Sequence, residues 1–487
     1  MVLLRARWGK KEFDFVFNPE DDILSQIACL THIPKDKIKL IPQSVTNPAF
    51  VPKDGMRITI VGTAEDKQLS TEERYKANNQ FVEDMTEEEI ATALRQTKAD
   101  PLPVGLENLG NTCYLNAVVQ CLCRLPMFNQ GIVNFQPRIH GDLQIYSQMS
   151  GLLSLLTSSH SDFETPATFV ATVRNRFPRF NQRDSHGHYS QQDADEFLRE
   201  LLQSLASVNS SIDSMFSFGM ETSLKCLDSE AEPISTISEE LKSLTCHMGT
   251  QVEPVNHLHE GIQLSLKEVI EKKALCLERS AKFEKRSGMK SLPPYLMVQL
   301  ARFQWKAKSD SAGTQATKTK IIRKVAFQKT LDVYDFCSDS VKSHLDIGRE
   351  RRRRLVEDSG GSPVEEFQIA DQDSTSEELF HSQRLPTGVY ELVAIVSHQG
   401  RTSDGGHYMA WTKRVRRPSE GPPPSKKTNG SKDSPDSEIW LKFDDETVSE
   451  TSWTAMTETG GMLGGLADSQ MAYLLFYART SVSKQDI

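Results

Sequence analysis

An α+β fold in two units follows from three features of this 487-residue chain. Strand-like runs enclose one helical stretch in residues 1–63. A helix with an apolar face opens at Cys113, directly behind a polar, Gly-containing turn. Strand-like runs then recur toward the C-terminus at residues 392–398, 439–446 and 472–477.

In the first unit, an alternating run over residues 2–8 is followed by another at 10–17, which reads as a hairpin. A helical stretch at 22–31 and short strands at 38–42 and 56–61 complete it. The run ends in Val61, Gly62, Thr63, Ala64, Glu65 and Asp66 without a terminal Gly-Gly, so this unit cannot be conjugated through its end. Leu40, Ile41 and Ile60 are expected to contribute to an exposed apolar patch or to the core. Composition shifts near residues 64 and 104 mark 64–103 as a linker and 104–481 as the second unit. Three stretches of the second unit read as mobile insertions: 306–320, 343–383 and 418–436, rich in Ser, Lys, Arg, Pro or acidic residues. The arginines at 349 and 351–354 fall in the second of these and read as a solvated face in preference to a nuclear signal.

The turn before the helix holds Gly105, Asn108, Gly110, Asn111 and Thr112, and the helix carries Leu115, Val118, Val119, Leu122 and Leu125 at helical spacing. One face can pack while the N-terminal end stays near the surface, where the helix dipole and free N–H groups favour a thiolate. A buried structural cysteine is the competing reading, and downstream residues decide between the two. Gly405 and Gly406 precede His407, which follows the strand-like run 392–398. The run 439–446 ends in Asp444, Asp445 and Glu446. A cysteine, then a histidine, then an acidic residue supplies a nucleophile, a base for its proton and a group that fixes the base's tautomer.

Two further segments lie between these blocks. One contains Tyr189, Ser190, Gln191, Gln192, Asp193, Ala194, Asp195 and Glu196; the other runs from Leu292, Pro293, Pro294 and Tyr295 to Gln299, Arg302 and Phe303. Together, the blocks resemble the cysteine, histidine and aspartate boxes of the ubiquitin-specific proteases, in order, over residues 104–480. The resemblance implies a papain-like cysteine protease core with fingers, palm and thumb. It implies Cys113 as nucleophile, His407 as general base, Asp444 as its orienting carboxylate and Asn108 as an oxyanion-hole donor. It also implies that the substrate is ubiquitin or a ubiquitin chain, cut by isopeptide hydrolysis after the terminal glycine.

Ubiquitin's Arg-containing tail needs a slender acidic channel. Asp193 and Glu196, at i and i+3 on a helix start, are expected to face the same way and pair with a tail arginine. Gln192 belongs to the same block, and Gly406 and Tyr408 are expected to wall the channel. Asp445 is expected to be solvated or to support the site indirectly. The loop between 399 and 405 resembles the position of a lid in the proteasome-associated members, with Asp404 a charge that disfavours closure or a turn former.

The N-terminal unit is similar to the β-grasp ubiquitin-like domain of those same members, and the stretch from Phe81 to Ile90 resembles their linker. This likeness implies docking on the regulatory particle of the proteasome. The alternative is a catalytically silent, ubiquitin-binding proteasome adaptor; a transglutaminase-like acyl transfer lacks support from the acidic block. Many members of the family carry zinc on paired Cys-x-x-Cys knuckles, whereas Cys226, Cys246 and Cys276 stand singly, so neither a structural metal nor a cofactor is expected. Cys121 and Cys123 point to different sides of a helix and read as core.

With 57 basic and 66 acidic residues and a net charge of −9, the chain is not expected to bind nucleic acid. It has no apolar run long enough for membrane insertion. Eight scattered cysteines fit a reducing cytosol or nucleus.

Overall fold

The computed structural model describes residues 2–8, 11–17, 22–31, 35, 38–41, 56–61, 102–137, 141–250, 252–306, 317–358, 368–369, 384–402, 405–414, 438–457 and 470–483. It divides into two compact units, residues 1–100 and 101–487.

The first unit contains β1 (Val2–Trp8), β2 (Lys11–Phe17), α1 (Ile23–Thr31), β3 (Lys39–Ile41) and β4 (Met56–Val61). Its sheet order is β2-β1-β4-β3; β1 and β4 run parallel at its centre, and the outer pairings are antiparallel. Alternation along β1 buries Leu4 and Ala6 and exposes Arg5 and Arg7. Ile23 and Ile27 of α1 close on the same small core with Ile38, Leu40, Ile58 and Ile60. Leu40 and Ile60 are therefore core residues, while Ile41 is 57% exposed, so of the three patch candidates only Ile41 reaches solvent.

The second unit begins with a helical lobe: β5 (Gly105–Leu106), α2 (Cys113–Cys123), α3 (Pro126–Val133), α4 (Leu143–Ser158), β6 (Phe163–Glu164), α5 (Ala167–Arg176), α6 (Ala194–Val208) and α7 (Ser211–Phe216). Every residue of α2 is buried, so it is the lobe's central helix, with polar Asn116 and Gln120 enclosed along with the apolar residues. The chain continues through β7 (Phe218–Cys226), β8 (Ser235–Leu241), β9 (Ser243–Cys246), α8 (Leu258–Leu266), β10 (Lys267–Lys273) and β11 (Ser280–Met289). Of these, β10-β11-β7-β8 form a four-stranded antiparallel arm.

The remaining elements are β12 (Tyr295–Leu300), β13 (Phe303–Lys306), β14 (Thr317–Lys320), β15 (Thr330–Asp332), α9 (Asp339–Asp358), β16 (Gln368–Ile369), β17 (Arg384–Thr402), β18 (Gly405–Lys413), β19 (Ile439–Asp444), β20 (Thr447–Ser452), α10 (Trp453–Thr457) and β21 (Met471–Ser483). They build a large sheet whose main path is β20-β19-β18-β17-β21-β12-β9. Both of its faces are covered. Tyr295 and Met297 of β12 join the core under the helical lobe, while Leu296, Val298 and Leu300 join a second core on the other face. Strands buried on both sides need apolar residues at every position, which explains the unbroken run at 472–477.

Part of the expected insertion at 343–383 is regular structure. Residues 339–358 are helical and dock on β17, with Val341 and Leu345 in the second core and Gly348 so close to Pro386 that a Cβ would meet its carbonyl oxygen at 2.2 Å. Arg349 is tied to Asp332 at 2.8 Å and lies over the Tyr334 ring, and Arg353 and Arg354 pair with Glu350. These arginines therefore serve the helix and its docking. Most of 306–320, the remainder of 343–383 other than 368–369, all of 418–436 and Asp404 lie outside the described residues.

At the arm's tip, Leu224, Cys226, Ala274, Ala281 and Phe283 form a small apolar cluster. Glu232 accepts hydrogen bonds from the backbone N–H groups of Leu275 (3.0 Å) and Cys276 (2.8 Å) and so closes the turn. Cys246 sits in β9, in the core of the large sheet.

Candidate active site

Cys113 is the first residue of α2, and the loop before it is held in an unusual shape. Gly110 and Asn111 have φ values of 83° and 53°, the left-handed region that Gly and Asn tolerate best. The Asn108 side-chain oxygen accepts from the Gly110 N–H at 3.1 Å and from the Thr112 N–H at 3.2 Å, while the Thr112 hydroxyl accepts from the Leu109 N–H at 2.9 Å. These bonds fold the loop back so that Cys113 starts the helix, 2% exposed.

The large sheet brings the histidine. Strands β18 and β19 pair with Ala410 opposite Phe443, a register that sets His407 diagonally across from Asp444 on one face. His407 Nε2 meets Asp444 Oδ1 at 2.7 Å, and Lys442 Nζ donates to the other carboxylate oxygen at 3.1 Å. With Nε2 engaged, Nδ1 is the nitrogen left for the Cys113 sulfur, with which the ring also hydrogen-bonds. Asp444 first, and Cys113 second, raise the His407 pKa to about 10 against the cost of burial. Asp444 is correspondingly held below the usual carboxylate range by its bond to His407.

Asp445 turns the other way. Its φ of 49° rotates it out of strand geometry, and it is 8% exposed. Its two oxygens accept from Asn108 Nδ2 and Asn116 Nδ2, each at 2.8 Å, and its backbone carbonyl accepts from the Leu106 N–H. Burial raises its pKa, while the two amide donors and His407 oppose that rise. An amide nitrogen carries two protons, so Asn108 retains one beyond the Asp445 bond. Glu446 receives the Asn108 backbone N–H at 2.8 Å, and a Cβ on Gly105 would lie 2.3 Å from the Glu446 carbonyl oxygen. Consecutive carboxylates thus divide three tasks among His407, the side chain of Asn108 and its backbone. Asp445 is neither solvated nor idle.

The acidic block differs from expectation. Asp193 is the N-cap of α6, with extended backbone, accepting from the Asp195 N–H at 2.9 Å and from the Tyr473 hydroxyl at 2.7 Å. As the cap, Asp193 is held inward by those two donors, while Glu196 meets Arg179 at 2.8 Å. The two carboxylates do not form one face. Gln192 is half-buried and donates weakly to the Ser190 carbonyl at 3.4 Å. Gly406 is exposed beside His407 with φ of 133°, and a Cβ there would lie 2.0 Å from the Gln399 carbonyl oxygen, so this position admits only glycine. Tyr408 is 1% exposed, packed with its ring centroid 4.5 Å from that of His398; it backs the hairpin rather than walling an open channel.

Four residues at or near the site escaped the sequence reading. Asn116 had a signal, being a polar residue about one helical turn after Cys113 in a helix whose other polar residue is Gln120. Asp195 stands in the acidic block, where spacing alone suggests no role. It is buried, paired with Arg199 at 2.8 Å, and lines a cavity of about 270 Å³ with Arg199, Glu240, Lys242, Met297 and Gln299. His398 and Lys320 form a buried pair behind Gly406, with Lys320 Nζ 3.1 Å from His398 Nδ1 and donating to the His398 carbonyl at 2.6 Å. Burial lowers the Lys320 pKa to about 7 and that of His398 to about 3, so His398 is neutral. Nothing local in the sequence brings positions 78 apart together.

The family model for ubiquitin carboxyl-terminal hydrolase matches residues 104–477, the span that holds all of this geometry. The chain belongs to the ubiquitin-specific protease family. Ubiquitin carboxyl-terminal hydrolase 6 of Arabidopsis thaliana is 30% identical over 533 aligned residues, covering 99% of this chain and all of that one. Ubiquitin carboxyl-terminal hydrolase 7 of the same plant is 29% identical over 99% of this chain and all of its own length. Ubiquitin carboxyl-terminal hydrolase 14 of Caenorhabditis elegans is 27% identical, covering 98% of this chain and 93% of its own. The protein is a cysteine-type ubiquitinyl hydrolase, a deubiquitinase with a papain-like catalytic core.

The pH profile of this protease follows from His407. A ring whose pKa is raised to about 10 keeps its proton, and with it the charge facing Cys113, through neutral pH and well above. The alkaline limb of kcat/KM is expected near pH 10, measured by ubiquitin–fluorophore hydrolysis from pH 6 to 11. A limb at the ordinary imidazole value of about 6.5 would contradict the assigned Asp444 contact.

Proposed function

We propose that this protease releases ubiquitin from conjugates delivered to the proteasome, with Cys113 as nucleophile, His407 as its base, Asp444 as the orienting carboxylate and Asn108 as an oxyanion-hole donor. The observation that carries the catalytic half is the 2.7 Å contact between His407 Nε2 and Asp444 Oδ1, which leaves Nδ1 for the thiol. The Cys113 sulfur attacks the carbonyl carbon of ubiquitin's terminal glycine. The oxyanion that forms is met by Asn108, whose Oδ1 is locked by the Gly110 and Thr112 amides and so cannot swing away. His407 gives its proton to the departing lysine amine, leaving a thioester, and then draws a proton from the water that hydrolyses it.

The N-terminal unit supports the proteasome half. A mixed four-stranded sheet with a parallel central pair and one helix is the arrangement of a β-grasp, ubiquitin-like domain. Ile41 at 57% and Leu30 at 52% exposure give it apolar contact points. The reading places the protein in a reducing compartment, cytosol or nucleus, where a thiol enzyme survives.

The test is hydrolysis of ubiquitin–fluorophore by the parent and by Ile41→Lys, each with and without purified proteasome. Stimulation of the parent and its loss in the variant, with basal rates equal, is the expected result. Equal rates for the parent with and without proteasome would remove the docking role and leave the hydrolase.

A further inference from the structure

The strained loop before Cys113 is held from outside as well as from within. Arg174, in the last turn of α5, donates from Nη2 to the Gly110 carbonyl at 3.2 Å. Its guanidinium carbon lies 3.4 Å from the centroid of the Tyr189 ring, and that of Arg183 lies 4.0 Å from the same centroid. Two guanidinium groups cannot share one face of a ring at those distances, so Tyr189 is sandwiched between them. Asn111 Nδ2 donates to the Tyr189 carbonyl at 2.7 Å, a second tie from the loop to the same residue. Arg183 completes the unit, reaching the Tyr189 hydroxyl and the Gly187 carbonyl, each at 2.7 Å, across an antiparallel bridge between Arg183 and Tyr189.

We infer that Arg174 is a positioning residue for the nucleophile: with Tyr189 it fixes the left-handed turn at Gly110 and Asn111 and thereby the angle at which Cys113 enters α2. The inference rests on Cys113 being the nucleophile. Two consecutive residues at positive φ are a conformation a free loop would leave, and here it is over-determined. The Asn108 bonds act on the amides of Gly110 and Thr112, whereas Arg174 and Asn111 act on the Gly110 carbonyl and on the hairpin outside it. Loss of the outer set leaves the loop closed but free to rotate, which displaces the sulfur from His407 without removing any catalytic group. A displacement of about 1 Å at a reacting centre costs about 10²-fold in rate.

The experiment compares parent, Arg174→Ala, Arg174→Lys, Asn111→Gly and Cys113→Ala in ubiquitin–fluorophore hydrolysis, alongside the rate of Cys113 alkylation by iodoacetamide and the melting temperature. Asn111→Gly keeps a residue at home at positive φ and deletes only the side-chain tie, so it reports even where Arg174→Ala does not fold. The expected result is a kcat loss of about 10²-fold in Arg174→Ala with KM within about twofold, a smaller loss in the same sense for Asn111→Gly, and recovery to within about tenfold in Arg174→Lys, which keeps a cation over Tyr189. Alkylation slows in parallel, and melting stays within a few degrees. Parent-like kcat in folded Arg174→Ala or in Asn111→Gly overturns the inference, as does a loss confined to KM or one that tracks melting temperature across all variants. Failure of the underlying reading is separate: it shows as hydrolysis retained in Cys113→Ala.

Discussion

Asp444→Asn is expected to lower kcat by on the order of 10³ to 10⁴, with KM nearly unchanged, because it leaves the shape of the site intact and reverses one hydrogen bond. Asp444 Oδ1 now accepts from His407 Nε2 at 2.7 Å, which keeps a proton on that nitrogen and directs Nδ1 toward the thiol. An asparagine amide either donates to Nε2, forcing the wrong tautomer, or offers a neutral oxygen that no longer stabilises the charged ring. The Lys442 ammonium, 3.1 Å from the second oxygen, favours placing the asparagine oxygen on its own side and the NH₂ toward His407, the worse of the two outcomes. The alkaline limb of the variant should fall from near pH 10 toward about 6.5, since the bond to Asp444 is the largest influence raising the ring's pKa.

Stability moves with the same group, and the direction is fixed. A histidine pKa raised on folding stabilises the native state fully below the unfolded value of about 6.5, and that contribution disappears as pH rises through about 10. Asp444 must be ionised for the pair to exist, and its own pKa is depressed, so the effect persists well into acid. The gap in melting temperature between parent and Asp444→Asn should therefore be widest below about pH 6.5 and close above about 10. A gap independent of pH would assign the loss to packing.

Asp445→Asn is expected to cost on the order of 10² to 10³ in kcat, the amount typical of losing one oxyanion-hole donor. Asparagine is the informative replacement because it tolerates the φ of 49° at this turn. Its amide keeps one acceptor but offers a donor where the second Asn amide points, so Asn108 Nδ2 or Asn116 Nδ2 loses its partner at 2.8 Å. Asn116 Nδ2 also reaches the Leu106 and Glu107 carbonyls at 3.3 and 3.2 Å, whereas Asp445 is what fixes Asn108 Nδ2, so the rate loss follows from the mismatch at Asn108, the proposed oxyanion-hole donor. Because His407 and Asp444 are untouched, the alkaline limb should stay within about half a pH unit of the parent, separating this variant from Asp444→Asn. Equal collapse of the limb in both would mean that the two carboxylates act as one group.

Cys113, His407 and the carboxylate pair were legible as candidates because each sits in a local pattern: a turn before a helix, paired glycines before a strand, acids at a strand end. The choice of Asp444 over Asp445 for the contact with His407 rested on the family resemblance; the structure supplies the physical reason, since Asp444 is still in strand geometry and lies diagonally across from His407 on the next strand. What Asp445 does was illegible, because its partners Asn108 and Asn116 are 337 and 329 residues away. The shared face expected of Asp193 and Glu196 is not formed, for a definable reason. Asp193 is the helix cap and its side chain turns toward Tyr473, a partner 280 residues on that spacing could not show. The helix at 339–358 was hidden by its charge: arginines that read as a solvated insertion are paired along the helix with Glu350 and Glu357 and anchored through Arg349. Leu40 and Ile60 show the limit of strand patterns in a small unit, where nearly every apolar strand residue is needed for the core.

The most direct measurement is labelling by ubiquitin bearing an electrophile at its C-terminus, applied to the parent and to Cys113→Ala, with the adduct located by mass spectrometry. The account predicts one covalent ubiquitin on the parent, attached at Cys113, and none on the variant. An adduct on another cysteine, or undiminished labelling of Cys113→Ala, would contradict it.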